Sequence, residues 1–424
     1  MWEWRPANSV RQGKRCAKRE SCENIVLYGR PPPACFCGVP LARVQNLPLQ
    51  EGDLSRWRLL AEFQERLAAA RGEEAVARTF ADPRRQLQED DYLSLLLFGL
   101  FNPVVDSMRG LCAASRLQRV QAEVCGRAVS LGSFSEAQAV VDPQLLQRVF
   151  EGLAAEVRPM EGDPRLARYR TQLLAIDGTI WAALPRMTWA LWRWQNTRQN
   201  ALKAHVQFNL LEQKPVAVAV STAKRCERAV LREHWQPGAF YVGDRNYGQD
   251  YGFLEELTAA GCSYLVRLRN NACFEEIEAL PLSAVDRENG VTFDGWVRLA
   301  DRGAGPRVRL LRIQTQESEL LLVTDKGPEE LSAELLGLLY RYRWRIELFF
   351  KWLKCILGCR HWLAESPRGV ALQIYSALIA ALLLLRHTGR QPNKRAMEMI
   401  RFYFVGSATL EELWQFLGLK KKRV

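Results

Sequence analysis

The sequence predicts an α/β protein in which a helical N-terminal region precedes a sheet that takes in a β-rich insertion. Apolar residues recur at helical spacing between about residues 51 and 165. From about residue 170 the pattern changes to short buried runs and strict alternation, which are typical of strands. A second β-rich stretch, at about 262–326, precedes a long predicted helix.

The composition is that of a globular protein with an excess of positive charge. The chain has 424 residues, more than one small domain needs, and 48% are hydrophobic, which excludes wholesale disorder. The formal net charge of +12 favours nucleic acid or an anionic membrane as a partner. The longest apolar stretch, 370–385, is shorter than the roughly 20 apolar residues of a membrane span. We therefore interpret it as a buried core helix and expect no membrane partner.

Residues 1–50 differ from the rest of the chain and are predicted to be a basic extension of unknown role. Their four cysteines are Cys16, Cys22, Cys35 and Cys37. The spacing C-x5-C-x12-C-x-C lacks the close pairs of a usual zinc site. No apolar run follows the basic start, so the pattern of a signal peptide is not met. We therefore expect a cytoplasmic protein with reduced thiols.

Residues 51–165 are predicted to form a helical DNA-binding domain. Ser135 with Gln138 matches a capping box, and Asp142 before Pro143 matches an N-cap followed by proline. Both patterns predict helix starts. Four arginines lie among the helices: Arg109, Arg116, Arg119 and Arg127. They suit phosphate contacts, and a solvated helical face explains them equally well.

Residues 166–410 are predicted to hold the sheet and its helices. A buried strand at 172–176 ends at Asp177, and another at 239–242 runs into Asp244. Between them the pattern predicts strands at about 205–210 and 215–220 and a helix at about 223–235. Open α/β sheets place their ligand sites at the carboxyl ends of strands. We therefore expect Asp177 and Asp244 to lie together.

A long helix is predicted from about residue 328 to residue 357. It contains Tyr340, Arg343, Glu347 and Lys354 at separations of 3, 4 and 7 residues. At 3.6 residues per turn these steps return to nearly the same side of the helix. The alternative interpretation is a surface ion pair between Arg343 and Glu347, which is worth only about 0.3–0.5 kcal/mol.

The three acids Asp177, Asp244 and Glu347 together predict a divalent-metal site. Carboxylates brought together without a cation repel one another, and their pKa values rise. Hard oxygen ligands suit Mg²⁺ or Mn²⁺, and two such ions about 3.5–4 Å apart can catalyse phosphoryl transfer. Arg343 would then bind a DNA phosphate as a fork and Lys354 as a point charge.

These residues resemble the insertion-sequence DDE transposases of the IS-4 group. That group has a Y-x2-R-x3-E-x6-K signature, which is matched without a gap by Tyr340, Arg343, Glu347 and Lys354. Its first aspartate precedes Gly-Thr, as Asp177 does here. Its second aspartate lies in a D-x-(G/A)-(Y/F) context, from which Asn246 departs. The resemblance covers about residues 55–415.

The resemblance implies a ribonuclease-H-like catalytic core at 166–410 with the β-rich subdomain inserted at about 262–326. It implies a cut-and-paste DNA transposase in which Asp177, Asp244 and Glu347 are catalytic and hold two Mg²⁺ or Mn²⁺ ions. Water would nick each transposon end, the freed 3′-hydroxyl would form a hairpin, and the reopened end would attack target DNA. The implied partners are double-stranded DNA, as terminal inverted repeats and target, and a second copy of the chain in a homodimer.

The remaining candidates have weaker patterns. Lys203 and Arg245 are predicted phosphate contacts, and Tyr340 is counted with the DNA-binding residues. In relatives, an aromatic at the position of Trp296 can stack on a flipped-out base, but with thirteen tryptophans in the chain an ordinary sheet tryptophan is the preferred interpretation. We interpret His205 as a hydrogen-bonded structural residue. The segment 411–424 is interpreted as a basic tail with weak DNA affinity, and Cys355 and Cys359 as packing thiols.

Two other functions stay open at this point. One is a metal-dependent DNA nuclease with the same core, and the other is a non-catalytic DNA-binding inhibitor of transposition. The three acids argue against the inhibitor, because a pure binder gains nothing by gathering negative charge near phosphate.

Overall fold

The computed structural model of the protein describes residues 56–79, 87–157, 162–184, 186–194, 197–301, 303–316, 318–357, 363–389 and 393–417. The predictions for the extension 1–50 with its four cysteines, for Cys359 and for the end of the tail at 418–424 lie outside these residues. The predicted domain boundaries stay predictions.

The chain alternates between helical and sheet regions much as the sequence predicts. The helices are α1 Arg56–Thr79, α2 Glu89–Phe101, α3 Met108–Ala114, α4 Gln118–Val120, α5 Leu131–Val140, α6 Pro143–Glu156, α7 Glu227–His234, α8 Tyr251–Ala259, α9 Ala284–Glu288, α10 Ala333–Tyr342, α11 Trp344–Leu357, α12 Pro367–Thr388, α13 Lys394–Phe404 and α14 Leu410–Leu417. The strands are β1 Leu173–Ala182, β2 Leu191–Trp194, β3 Thr197–Asn209, β4 Lys214–Thr222, β5 Phe240–Gly243, β6 Ser263–Arg267, β7 Phe274–Ala279, β8 Val291–Asp301, β9 Gly303–Gln314 and β10 Glu319–Thr324.

The strands form one mixed sheet in the order β2-β3-β1-β5-β6-β10-β9-β8-β7. Strand β2 pairs with residues 197–200 of β3, and β4 pairs with residues 202–209. On one side of β1, β3 and β4 run antiparallel to their neighbours. On the other side β5 and β6 run parallel to β1. Strand β10 adds antiparallel to β6, so the β-rich stretch extends the same sheet.

Strand β1 is longer than predicted, and Asp177 lies within it instead of at its end. The parallel pairing of β1 with β5 stops at Ile176 opposite Gly243. The antiparallel pairing with β3 continues to Ala182. The buried apolar run stops at Ile176 because β5 ends beside it, and the hydrogen bonds to β3 keep the later residues extended. Asp177 therefore lies at the carboxyl end of the parallel part of the sheet.

The single long helix predicted at 328–357 is wrong, because the structure has two helices that meet at Arg343. Helix α10 begins after Ser332, whose hydroxyl accepts a hydrogen bond from the Leu335 N–H at 3.4 Å. Arg343 has turn geometry, and its carbonyl accepts from the Ile346 N–H at 3.1 Å. Buried apolar residues continue on both sides of this turn, so the periodicity alone does not reveal it.

The N-terminal helix starts are partly as predicted. Asp142 caps α6, and its side chain accepts from the Gln144 N–H at 3.0 Å, as predicted. The predicted start at Ser135 is wrong, since that residue lies inside α5. Ser130 caps α5 instead, accepting from the Ser133 N–H at 3.0 Å.

The core of the described residues runs from the N-terminal helices to one face of the sheet. Helices α1, α2, α6 and α12 contribute buried apolar side chains to one continuous cluster with β1 and β3. Helix α12 is long and apolar enough to cross a membrane by composition, but 94% of its most apolar window is buried inside the protein. The interpretation of 370–385 as a core helix is confirmed.

Candidate active site

Asp177 and Asp244 lie side by side where two parallel strands end. Asp177 is on β1, and Asp244 follows β5 directly. Each carboxylate accepts a backbone hydrogen bond from the turn beside it. The Gly178 N–H donates to Asp177 Oδ1 at 2.7 Å, and the Asn246 N–H donates to Asp244 Oδ1 at 2.9 Å. The structure thus brings together the two aspartates that the sequence predicts as neighbours.

The two carboxylates have perturbed pKa values. Burial and the neighbouring charge of Asp244 raise the pKa of Asp177 to about 7. Burial also raises the pKa of Asp244, against the Asn246 N–H, which lowers it. The charge of Glu227 raises the pKa of Asp244 further. Buried acids whose pKa values are raised by a neighbouring carboxylate would be stabilised in their ionised form by a cation.

Arg343 stands between Asp177 and the third acid of the signature. Its Nη2 donates to Glu347 Oε1 at 2.6 Å, and its Nη1 lies 3.8 Å from Asp177 Oδ2. Within the described ranges, no three Asp, Glu, His or Cys side chains already surround one metal position. The guanidinium of Arg343 thus lies between the carboxylates of Glu347 and Asp177. All three acids can share a cation only after Arg343 releases Glu347.

Tyr340 and Lys354 flank this ion pair. The guanidinium of Arg343 lies over the Tyr340 ring, 5.6 Å from its centroid. Burial raises the pKa of the Tyr340 phenol, so the ring is neutral and positions Arg343. Lys354 is half-buried on α11, seven residues beyond Glu347 and therefore about 10.5 Å along the helix axis.

Lys203 and Arg245 lie on opposite sides of the two aspartates. Lys203 Nζ is 3.2 Å from Glu227 Oε1, so this cation already has a carboxylate partner. Arg245 follows Asp244 and is exposed. Glu227, the first residue of α7, lies at the site although the sequence did not predict it there. An acid at a helix start is common because it complements the helix dipole, so nothing in the pattern singled it out.

Two tryptophans differ in their access to a partner. Trp296, on β8, has the Arg307 guanidinium 4.9 Å above its ring centroid. Trp344, the first residue of α11, is 56% exposed and directly follows Arg343. Trp344 is not one of the four residues of the signature, so the signature did not predict a role for it. The sequence signal was an aromatic residue directly after Arg343.

His205 is a hydrogen-bonded buried residue, as predicted. Its Nε2 lies 2.8 Å from Ser221 Oγ on the neighbouring strand β4. Burial, together with the nearby charges of Lys203 and Arg225, lowers the pKa of His205 to about 3. The ring is therefore neutral at physiological pH.

A comparison with protein families decides the family. The model described as "Transposase DDE domain" matches residues 168–383, which contain all three acids. The chain belongs to the DDE transposase family.

The relatives of this DDE transposase chain are named as transposases. It is 26% identical over 239 residues to the y4zB protein of Sinorhizobium fredii, which is named as a transposase. That match covers 55% of this chain and 65% of the relative, just under two thirds of its length. The protein of insertion sequence IS4SA from Synechocystis is 22% identical over 61% of this chain and 72% of its own. The transposase of IS421 from Escherichia coli is 37% identical over 78 residues, 18% of this chain and 21% of its own.

Among solved structures, a cryo-EM structure of the piggyBac transposase synaptic complex with hairpin DNA aligns with a TM-score of 0.40 at 10% identity. The alignment covers 88% of this chain and 83% of that one. At this TM-score the alignment does not establish a shared fold.

The DDE transposase domain implies dependence on a divalent metal, and the donor set of the site fits one. Its candidate ligands are carboxylate oxygens, which hard divalent cations prefer. Burial and the charge of Asp244 raise the pKa of Asp177, so a bound cation would stabilise its ionised form. Asp177, Asp244 and Glu347 are the residues that would hold the cation.

The pKa of Asp177 predicts how stability depends on pH. The pKa rises from an ordinary 3.8 to about 7 in the folded protein. The stabilisation from the neutral carboxyl is therefore complete below about pH 4 and is lost as the pH rises through about 7. We expect the melting temperature of metal-free protein to fall between about pH 5 and pH 8, and Mn²⁺ to restore it at pH 8. Thermal melts with a chelator and with Mn²⁺ measure this.

The control for this pH series is Asp177→Asn, which removes only the titrating group. The difference in melting temperature between wild type and this variant should grow with pH. A difference that stays constant from about pH 5 to pH 8 would contradict the raised pKa.

Proposed function

We propose that the protein is a cut-and-paste DNA transposase of the IS-4 group, with Asp177, Asp244 and Glu347 as the ligands of two Mg²⁺ ions. The observation that supports this proposal most is that three acids far apart in the sequence lie close together in the fold. Arg343 links Glu347 to Asp177, and Asp244 lies close enough to raise the pKa of Asp177. This occurs in a chain that belongs to the DDE transposase family.

The sheet supports a ribonuclease-H-like core. On one side of β1, β3 runs antiparallel to β1 and β4 runs antiparallel to β3. On the other side, β5 and β6 run parallel to β1. The two aspartates follow the parallel pairing of β1 with β5, and the glutamate comes from helix α11. In this arrangement the β-rich insertion extends the sheet beyond β6.

The chain's own side chains have distinct tasks in this proposal. Two divalent cations held by Asp177, Asp244 and Glu347 would activate the attacking oxygen and stabilise the leaving one. Arg343 gives up Glu347 and turns its fork of donors to a DNA phosphate, a geometry that suits two oxygens. Tyr340 keeps the guanidinium close through the contact with its ring. Lys354 adds a point charge further along the DNA backbone.

The proposed reaction sequence uses this one site repeatedly. Water nicks each transposon end and frees a 3′-hydroxyl, which attacks the opposite strand to form a hairpin. Water reopens the hairpin, and the freed 3′-end attacks target DNA. The substrates are terminal inverted repeats and target DNA, and holding two ends together calls for a homodimer. We expect these steps to take place in the cytoplasm.

A base displaced during hairpin formation needs an aromatic surface, and Trp344 offers one beside the site. Stacking of a base on an aromatic ring stabilises by about 1–3 kcal/mol. Trp344 is exposed next to Arg343. Trp296 would first have to lose its contact with Arg307. We therefore propose Trp344 as the principal stacking residue and retain Trp296 as a secondary one.

The proposed function is tested by incubating purified protein with Mg²⁺ and DNA that contains both sequences flanking its gene. Joined products support the transposase. Cleavage without joining would instead establish the nuclease, and binding without cleavage would establish the non-catalytic inhibitor. Joined products are the expected result, because the chain belongs to the DDE transposase family.

Lys354→Ala should weaken binding to transposon-end DNA and lower its salt dependence. Each phosphate contact contributes a slope of about 0.9 in the logarithm of affinity against the logarithm of salt concentration. We expect the slope to fall by about one such contact when binding is measured by fluorescence anisotropy at several salt concentrations. Lys394→Ala is the matched control, because Lys394 is exposed on α13 and pairs with Glu398. An unchanged slope in Lys354→Ala would refute the phosphate contact.

A further inference from the structure

Glu227 is a fourth carboxylate at the candidate active site, and its two oxygens have different partners. The side chain is only 13% exposed at the start of α7. Its Oε1 lies 3.2 Å from Lys203 Nζ on β3. Its Oε2 accepts a hydrogen bond from Asn246 Nδ2 at 2.8 Å. Both oxygens are therefore engaged by donors of the chain itself, unlike those of a carboxylate awaiting a metal.

Asn246 connects Glu227 to Asp244. Its backbone N–H donates to Asp244 Oδ1 at 2.9 Å, and its side chain donates to Glu227. Its carbonyl accepts from Arg228 Nη1, one residue after Glu227. The turn that orients the Asp244 carboxylate is thus attached to the start of α7 at two points. Rotation of this turn would break these bonds.

The same carboxylate packs against the turn beside Asp177. A Cβ atom at position 178 would lie 2.7 Å from Glu227 Oε1, so Glu227 occupies the space that glycine leaves open. The Gly178 N–H is the donor to Asp177 Oδ1. Glu227 therefore contacts the residues that supply the backbone hydrogen bonds to both aspartates.

The hydrogen bond between Asn246 and Glu227 accounts for an asparagine at position 246, where the family pattern has a small residue. An alanine or glycine at 246 would leave Glu227 Oε2 without its amide donor, in a place with little access to water. A buried carboxylate that loses a hydrogen bond is destabilised, so asparagine and glutamate at these positions suit each other.

We propose that Glu227 is a positioning residue of the metal site: through Asn246 it fixes the orientation of the Asp244 carboxylate, and through its ion pair it holds Lys203 beside the same acids. This inference rests on the proposed function, because it assigns a role toward the cation that Asp177, Asp244 and Glu347 would bind. Outer partners that orient metal ligands typically contribute 10–100-fold to metal affinity.

The test is the affinity of the full chain for Mn²⁺ in the absence of DNA, measured by titration calorimetry. Glu227→Ala and Asn246→Ala should each weaken Mn²⁺ binding by about 10–100-fold. The double variant should bind hardly more weakly than Glu227→Ala alone, because Glu227→Ala already removes the link through Asn246. Equal affinity of Asn246→Ala and wild type would overturn the proposal.

Glu227→Gln separates positioning from simple charge. A glutamine keeps an oxygen that accepts from Asn246 but loses the ion pair with Lys203. We expect it to bind Mn²⁺ more tightly than Glu227→Ala does. If Glu227→Gln binds as weakly as Glu227→Ala while Asn246→Ala binds normally, Glu227 acts by its charge alone and the positioning role is refuted.

Two further variants distinguish this inference from the proposed function. Glu233→Ala lies on the same helix, and its carboxylate pairs with Arg225, so Mn²⁺ affinity should not change. Asp177→Asn should lose Mn²⁺ binding. If it does, while Glu227→Ala and Asn246→Ala bind like wild type, only the inference fails. If Asp177→Asn binds Mn²⁺ normally, the metal site itself fails. Should Glu227→Ala not fold, Asn246→Ala decides the matter.

Discussion

Asp177→Asn is expected to abolish DNA cleavage and, at the same time, to stabilise the metal-free protein at about pH 8. Cleavage should fall by at least about 10³-fold, because losing a metal ligand removes several kcal/mol of transition-state stabilisation. Stability should rise because the ionised carboxylate, with its pKa raised to about 7, is unfavourable where it lies. A loss of activity together with a gain in stability is the expected combination where an active site is destabilised for its function.

Three measurements on this variant check the expectation. Single-turnover cleavage in Mg²⁺ gives the rate, and anisotropy gives DNA affinity, which should stay near that of wild type. Thermal melts with and without Mg²⁺ should show that the metal no longer raises the melting temperature. Asp106→Asn is the control, because Asp106 is an exposed carboxylate outside the site. Near-normal cleavage by Asp177→Asn would remove the metal-site model.

The neighbouring aspartates were predictable because of where apolar runs stop. Buried residues precede both Asp177 and Asp244, and parallel strands bring such ends together. The extent of β1 was not predictable in the same way. Beyond Ile176 the strand is maintained by hydrogen bonds to β3, and backbone pairing leaves no mark on apolar periodicity.

The turn at Arg343 could not be predicted from the spacing of residues in the sequence. The sequence places Tyr340, Arg343 and Glu347 at helical spacing, and this spacing alone also fits a continuous helix. The structure interrupts the helix at Arg343, where the guanidinium contacts Glu347, Asp177 and the Tyr340 ring. Only the tertiary partner Asp177, 166 residues away, distinguishes this arrangement from a surface ion pair.

Glu227 shows what a signature cannot contain. The positioning role proposed for Glu227 depends on its contacts with Asn246, in the turn after β5, and with Lys203, on β3. The departure at Asn246 was visible in the sequence, but its partner was not. A single chain reveals that a position is unusual, and the fold reveals which neighbour makes it so.

Arg309→Met is expected to destabilise the protein by about 3–5 kcal/mol, because it breaks a buried ion pair from one side. Arg309 is 1% exposed and Asp294 is 5% exposed. Nε of Arg309 donates to Asp294 Oδ1 at 2.8 Å, and Nη2 donates to Oδ2 at 2.7 Å. Nη1 also donates to the Leu331 carbonyl at 2.7 Å, just before α10. The substitution would leave a buried carboxylate and a carbonyl without these donors.

Urea unfolding of the purified variants measures this cost, and two comparisons interpret it. Arg307→Met is the matched control on the same strand. Arg307 Nη2 lies 3.7 Å from Glu278 Oε2, and both side chains are exposed. Exposed ion pairs contribute only about 0–1 kcal/mol. The double variant Asp294→Leu with Arg309→Met removes both charges, so it should be more stable than Arg309→Met alone. If Arg309→Met unfolds at the same urea concentration as Arg307→Met, the ion pair does not secure β8 and β9 to the start of α10. A loss confined to Arg309→Met would mean that this guanidinium stabilises the packing of the insertion against the start of the helix that carries Tyr340.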